Sequence, residues 1–288
     1  MKKSIQLASL LLGCLALIIL PSLARAEIAV KSGEKIAFLG DSITAAGNQV
    51  PGGYIHLVIS GLKANGIDAT PIPAGISGHK SNDMLARLDR DVISKKPDWM
   101  TLSCGVNDVW HGVNGVPLDQ YKKNITEIVE KCEAAHIKVM ILTSTMIQEV
   151  PNDNNTKLAG YNEFLRELAK EKKLPVGDLN EEMQATLKAA PAHKGNYLTV
   201  DGVHMNARGN VMMATGVLKG FGLDEAQLHK AKEAWLDIPN CVELGKISVS
   251  LRQLDGLSKL ADSRHESVQD LVNAEVKKSV EALLKSEH

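Results

Sequence analysis

Four short segments of this 288-residue chain carry residue types that chemistry needs. Gly40-Asp41-Ser42-Ile43-Thr44 offers a hydroxyl nucleophile, and Gly78 a backbone N–H with no side chain in front of it. Asn107, within Gly105-Val106-Asn107-Asp108, offers a neutral amide; Asp201-Gly202-Val203-His204 supplies an acid and an imidazole three residues apart. A serine hydroxyl is a poor nucleophile until a base takes its proton. His204 is the candidate base. Asp201, on a turn or a first helical turn, can reach the far ring nitrogen, fix the tautomer and stabilise the imidazolium. Acyl transfer also needs donors aimed where negative charge develops on the carbonyl oxygen, and losing one typically costs about 10²–10³ in turnover. The Gly78 amide and the Asn107 side chain, which does not compete for protons, are the candidates. Each has a plain alternative when taken singly. Asp201 can cap a helix starting near Asn206, Gly78 can be a turn glycine, and Asn107 can satisfy its own loop backbone. Together, in this order, they point to hydrolysis through a serine.

Such residues need a scaffold, and the chain alternates strand and helix patterns. Short apolar runs at 35–39, 70–73, 99–104, 137–143 and 174–176 read as strands, the second weakened by prolines that suit an edge. Helical spacing recurs at 54–64, 84–94, 118–136, 158–172 and 207–219. Strands alternating with helices of this length imply a parallel sheet covered on both faces. A sheet of that kind places its working residues beyond the carboxyl ends of its strands. Ser42 follows the first strand, Gly78 the second and Asn107 the third, so scaffold and chemistry agree.

The four segments resemble the signature blocks of the GDSL esterases, also called SGNH hydrolases. G-D-S-I-T stands for the nucleophile block, A-G-I-S-G-H-K-S-N-D-M-L for the second, G-V-N-D for the third and D-G-V-H for the last. All four are intact and in order over about residues 34–222. The resemblance implies a flavodoxin-like three-layer α/β/α sandwich with a central parallel sheet. It also implies a serine esterase that needs no metal or other cofactor. Ser42 would be the nucleophile, His204 the base and Asp201 its orienting acid. The Ser42 and Gly78 amides and the Asn107 side chain would form the oxyanion hole. One departure stands out: the family often has asparagine two or three residues before the first glycine of the second block. Here Pro73-Ala74 is found instead, which leaves open how the Gly78 loop is braced.

The remaining features bear on context. Lys2 and Lys3, an apolar run from Leu7 to Leu20, Pro21 and Ala24-Arg25-Ala26 read as a cleaved export signal over 1–26. The protein would then be periplasmic or extracellular, with no stable membrane span after cleavage. An uncleaved anchor and a lipoprotein signal at Leu11-Leu12-Gly13-Cys14 are the other readings of this segment. A formal net charge of −1 gives no warrant for nucleic acid or an anionic membrane as partner. Cys104, Cys132 and Cys241 form neither a disulfide framework nor a metal-ligand spacing. Cys104 reads as a buried strand residue rather than a second nucleophile.

The esterase-type domain is expected over 27–222 and a mostly helical C-terminal extension over 223–288. That extension would hold a helix at 223–236, an alternating stretch at 247–251 and a terminal helix. In the terminal helix Val268, Val272, Val276, Val280 and Leu284 recur every four residues. Such a stripe suits docking on the helix's own domain or a homo-oligomer contact. Tyr54, Trp110 and His111 are candidate substrate-pocket residues, and the loop 148–155 can shape a polar cleft. The expected substrate is a small-molecule or carbohydrate ester, with short acyl groups such as acetate. A lysophospholipase- or thioesterase-like lipid acyl hydrolase is the alternative. An inactive carbohydrate-binding module on the same fold would predict decay of a block, and none has decayed.

Overall fold

The computed structural model describes residues 27–192, 194–239 and 249–286. The expected export signal, Cys14, Cys241 and the first two residues of the stretch 247–251 lie outside those residues. The described chain forms two compact units, residues 27–239 and residues 249–286.

In the first unit five parallel strands lie in the order β2-β1-β3-β4-β5. They are β1 (Lys35–Gly40), β2 (Thr70–Gly75), β3 (Trp99–Ser103), β4 (Lys138–Leu142) and β5 (Val176–Gly177). The inner strands are buried on both faces, which is why their sequences are nearly continuous apolar runs. Register is set by pairs such as Ile36 with Trp99 and Leu102 with Ile141. β2 pairs only with β1, so Pro71 and Pro73 sit on an edge, where a missing N–H costs little.

Helices cover both faces. They are α1 (Ser42–Ala46), α2 (Tyr54–Ala64), α3 (Ser81–Asp91), α4 (Val106–Trp110), α5 (Leu118–Ala134) and α6 (Asp153–Lys172), then α7 (Leu179–Ala189), α8 (Ala207–Gly220) and α9 (Glu225–Leu236). α2 packs with α8 and α9, and α3 with α5, which continues onto α6. α9 joins this unit closely: the Trp235 indole N–H donates to the Leu57 carbonyl at 2.9 Å, and Ala231 is buried. α7 has no counterpart in the sequence reading. α6 begins at Asp153 rather than near 158, because the Asn152 side chain caps it by accepting from the Asn155 amide. Strand order reverses between β1 and β3, so the carboxyl ends of these two strands frame the crevice of a doubly wound sheet.

The second unit is a pair of packed helices, α10 (Leu251–Arg264) and α11 (Val268–Lys285). Ser250 caps α10, so the end of the expected alternating stretch is a helix start and not a strand. Ala261 and Leu271 are its buried apolar side chains, and Leu284, the end of the expected stripe, is exposed.

Candidate active site

The nucleophile loop is fixed from beneath. β1 ends at Gly40, and the Asp41 side chain then caps α1 by accepting from the Ile43 amide at 2.9 Å. Ser42 is therefore the first residue of a helix, where a backbone N–H has no helical acceptor and stays available to a ligand. Ile43 and Thr44 are buried below it. The Tyr54 hydroxyl donates to Thr44 Oγ1 at 3.1 Å and the whole Tyr54 side chain is buried. Tyr54 thus supports the loop and offers no surface to a substrate, contrary to its expected place in a pocket wall.

The last block closes onto this serine. His204 Nε2 lies 2.9 Å from Ser42 Oγ, and His204 Nδ1 lies 2.6 Å from Asp201 Oδ2. The other Asp201 oxygen accepts from the amides of Val203 (3.0 Å) and His204 (2.8 Å). One carboxylate oxygen therefore shapes the turn while the second holds the ring. An Nδ1–H donated to Asp201 leaves Nε2 as the acceptor facing Ser42, the arrangement a general base requires. Burial pulls the Asp201 carboxyl up, but hydrogen bonds from the His204 ring and the two amides outweigh it and hold it below the usual carboxylate value. The pair is open to solvent, with the Asp201 side chain about half exposed.

The oxyanion candidates come from the ends of β2 and β3. Gly78 has φ +78°, and nothing lies within 4 Å of where a Cβ would sit. Its glycine is therefore demanded by backbone conformation, with open space in front. Gly105 is demanded twice over, by φ +136° and by Ser144 Oγ 2.3 Å from a would-be Cβ. It turns the chain into α4, whose second residue is Asn107. Asn107 Nδ2 donates to the His79 carbonyl at 3.1 Å, which orients the amide and leaves its second hydrogen for another acceptor.

The brace of the Gly78 loop is supplied by groups the sequence reading passed over. Asp108 Oδ1 accepts from the Ser81 amide (3.0 Å) and hydroxyl (2.6 Å), joining the start of α3 to α4. Arg87, almost fully buried, donates to the carbonyls of Ala74 and Gly40 at 2.8 Å each and to His79 Nδ1 at 3.0 Å. One guanidinium thus ties the ends of β1 and β2 to the loop, its fork suiting several acceptors at once. Asp108 had a signal, its place directly after Asn107. Arg87 had none, since a lone basic residue on an amphipathic helix reads as solvated.

Buried acids give the floor of the site its electrostatics. Burial pushes Asp41 up to about 6; the Ile43 amide opposes this, the Asp108 charge adds to it and His204 again lowers it. Burial also raises Asp108 against the hydrogen bonds from Ser81. The Cys104 thiol is pushed well above its ordinary value by burial and by the charges of Asp108 and Asp41. It stays a thiol, and Cys104 has no nucleophilic character. Cys104 and Cys132 are both free and buried.

Trp110 and His111 end α4, with Trp110 about two-fifths exposed. In the loop 148–155 the Asn152 and Asn155 side chains bond to the backbone of Ile147 and Val150, so they brace the loop itself. Among the described residues no group of three or more histidine, cysteine or acidic side chains could hold a metal ion.

A serine, an imidazole and a carboxylate in hydrogen-bonded series at the carboxyl edge of a doubly wound parallel sheet define a serine hydrolase of the three-layer α/β/α class. Comparison with known proteins narrows this. The model of the GDSL-like lipase/acylhydrolase family matches residues 38–211, and the chain belongs to that family. An acetylxylan esterase from Geobacillus stearothermophilus is 28% identical over 216 residues, 68% of this chain and 97% of that protein. The crystal structure of Axe2, an acetylxylan esterase from Geobacillus stearothermophilus, superposes with a TM-score of 0.61 at 26% identity over 68% of this chain and 97% of that one. The crystal structure of an acetyl xylan esterase, AlAXEase, is 34% identical, covers 64% of this chain and 98% of its own, and gives a TM-score of 0.59. Esterase TesA from Pseudomonas aeruginosa is 34% identical over 146 residues, half of this chain and 66% of that protein. The chain is a carboxylic ester hydrolase of the SGNH fold.

Proposed function

We propose that this hydrolase removes short acyl groups, acetate first among them, from carbohydrate esters through an acyl-enzyme on Ser42. The carrying observation is the hydrogen-bonded series Ser42–His204–Asp201 at 2.9 and 2.6 Å. His204 Nε2 takes the Ser42 proton as Oγ adds to the ester carbonyl. The oxygen that becomes negative is met by the Ser42 and Gly78 amides and the Asn107 side chain. Collapse expels the alcohol, which takes the proton from Nε2, and leaves the acyl group on Oγ. Water then repeats the sequence, giving its proton to His204 and releasing the acid.

Similarity across nearly the whole length of an acetylxylan esterase supports the acetyl-carbohydrate substrate. A longer acyl chain is the second reading, favoured by the exposed apolar side chains Val50, Val113, Val150, Val200 and Trp110. They stand in or beside the segments that carry the site. Lys2, Lys3 and the apolar run after them support export, and cleavage after Ala26 would leave Glu27 as the first residue of the secreted protein.

Hydrolysis of p-nitrophenyl esters from acetate to palmitate, beside acetate release from acetylated xylan, tests the reading. Activity falling steeply beyond butyrate, with acetate released from the polymer, is expected. A maximum at long chains would replace it with the lipid reading. Ser42→Ala should abolish turnover with the fold intact, and retained activity would remove the nucleophile assignment.

A further inference from the structure

Asp201 makes its hydrogen bonds to Val203 and His204, inside its own loop, and is half exposed. Nothing in those contacts fixes where the loop stands relative to Ser42, which lies 162 positions before His204 in the chain. The anchor comes from the other side. Glu149, in the loop after β4, accepts from three successive amides of the segment leading into Asp201. Oε2 takes Tyr197 N at 2.6 Å, and Oε1 takes Leu198 N at 2.8 Å and Thr199 N at 2.7 Å. Oε1 also accepts from the Thr199 hydroxyl at 2.7 Å. An ionised carboxylate, with no hydrogen to place, suits this set of four donors, and their bonds outweigh burial to hold Glu149 below the usual carboxylate value. Bonds to a charged acceptor are roughly twice as strong as neutral ones.

From Glu149 the fixation runs into the turn itself. Thr199 Oγ1, while donating to Glu149, accepts from Gly202 N at 3.1 Å. Next to Glu149, Gln148 N donates to the Gly202 carbonyl at 2.7 Å. Val200 N donates to the His204 carbonyl at 2.8 Å, and Thr199 bridges to Met205 in antiparallel fashion. Asp201 and His204 therefore sit at the tip of a narrow loop whose incoming stem is clamped by one carboxylate. The loop of Glu149 is rigid in turn, through the Asn152 and Asn155 bonds to the Ile147 and Val150 carbonyls.

We infer that Glu149 is a positioning residue for the reaction, holding the Asp201–His204 loop at the distance and angle that the Ser42 hydroxyl requires. The inference rests on the triad reading above. It acts through geometry: a displacement of about 1 Å at reacting atoms costs on the order of 10²-fold.

Steady-state kinetics on p-nitrophenyl acetate, normalised to sites titrated with an organophosphonate, test this. Glu149→Ala is expected to lower kcat by about 10²-fold with KM changed less than about threefold. Glu149→Gln keeps one acceptor oxygen and should recover part of the loss. Thr199→Val, a milder change, should lower kcat several-fold, and it serves if Glu149→Ala yields no folded protein. Variants that melt at lower temperature but retain native kcat per titrated site would overturn the proposal. Ser42→Ala in the same series separates the two assignments. A dead Ser42→Ala beside unaffected Glu149 and Thr199 variants sinks the positioning role alone, whereas an active Ser42→Ala sinks the triad on which it stands.

Discussion

Replacing Asp41 with asparagine removes one buried charge and little else, so its effect can be worked out in advance. Asparagine caps a helix as well as aspartate does, and its carbonyl oxygen can keep the bond from the Ile43 amide. The native carboxyl, raised by burial from 3.8 to about 6, binds its proton more tightly in the folded chain than in the unfolded one. Its contribution is therefore fully present below about pH 3.8 and is lost as pH rises through about 6. A shift of roughly two units corresponds to about 3 kcal/mol when fully lost. Near pH 4 only about 0.5 kcal/mol of this has gone, and by pH 8 all of it has. The asparagine variant does not titrate there. Its stability relative to the native protein should rise by roughly 2–2.5 kcal/mol between pH 4 and pH 8. Neutralising Asp41 also lifts its repulsion of Asp108, whose burial-raised pKa then falls, so this second carboxylate adds to the variant's relative gain at higher pH.

Urea unfolding at each pH unit from 4 to 8, followed by tryptophan emission, reads this difference. Trp99, Trp110 and Trp235 all belong to the first unit, so the signal reports the unit that contains Asp41. A native–variant difference that stays constant across the range would refute the reasoning. So would a variant whose stability relative to the native protein falls from pH 4 to pH 8, since both outcomes mean the folded chain already holds Asp41 as a well-compensated anion.

Other substitutions separate conformation from chemistry. Asn107→Ala should lower kcat by about 10²–10³ at pH 7.5 with KM little changed, and a loss confined to KM would count against its oxyanion role. Gly105→Ala places a methyl 2.3 Å from Ser144 Oγ at φ +136° and should cost about 2 kcal/mol or more, read as a lowered melting temperature. Gly78→Ala meets open space at φ +78°, so its thermal cost should be only about 1–2 kcal/mol while turnover suffers from the reoriented amide.

What the sequence discloses about the site follows from how far each interaction reaches. Ser42 and Asn107, in short segments just beyond strand ends, and the pair Asp201 and His204 could be singled out because acyl transfer demands those residue types. The Asp201–His204 contact spans three residues and can be read locally. Arg87, by contrast, reaches Gly40 across 47 residues, and Glu149 reaches Tyr197, Leu198 and Thr199 across 48 to 50. Nothing near either residue announces such partners. Tyr54 misled because it opens a helix flanking the site, where an aromatic side chain suits a pocket wall, whereas Thr44 supplies the buried partner its hydroxyl needs. α7 was invisible for another reason. Only Leu179 and Met183 of it are buried, too few to stand out as a periodic face, and its start depends on Asp178. That cap is itself held by Arg166, twelve residues before it.

These long-range groups share a physical character that bears on why the site is built this way. Each loop bearing a reacting group is fastened by an ionisable side chain withdrawn wholly or partly from water. Asp41 and Arg87 hold the Ser42 end, Arg87 and Asp108 the Gly78 and Asn107 segments, and Glu149 the His204 loop. Apolar residues of similar size would often give a more stable fold, because desolvating a charge can exceed what its partners return. Apolar contacts, however, are non-directional. They would leave these loops free to shift by the fraction of an ångström that decides whether His204 meets Ser42. A carboxylate or guanidinium with several fixed partners has one satisfied geometry and is costly in any other. The raised pKa of Asp41 is the measurable trace of that trade: stability given up at neutral pH beside a nucleophile whose position is tightly held.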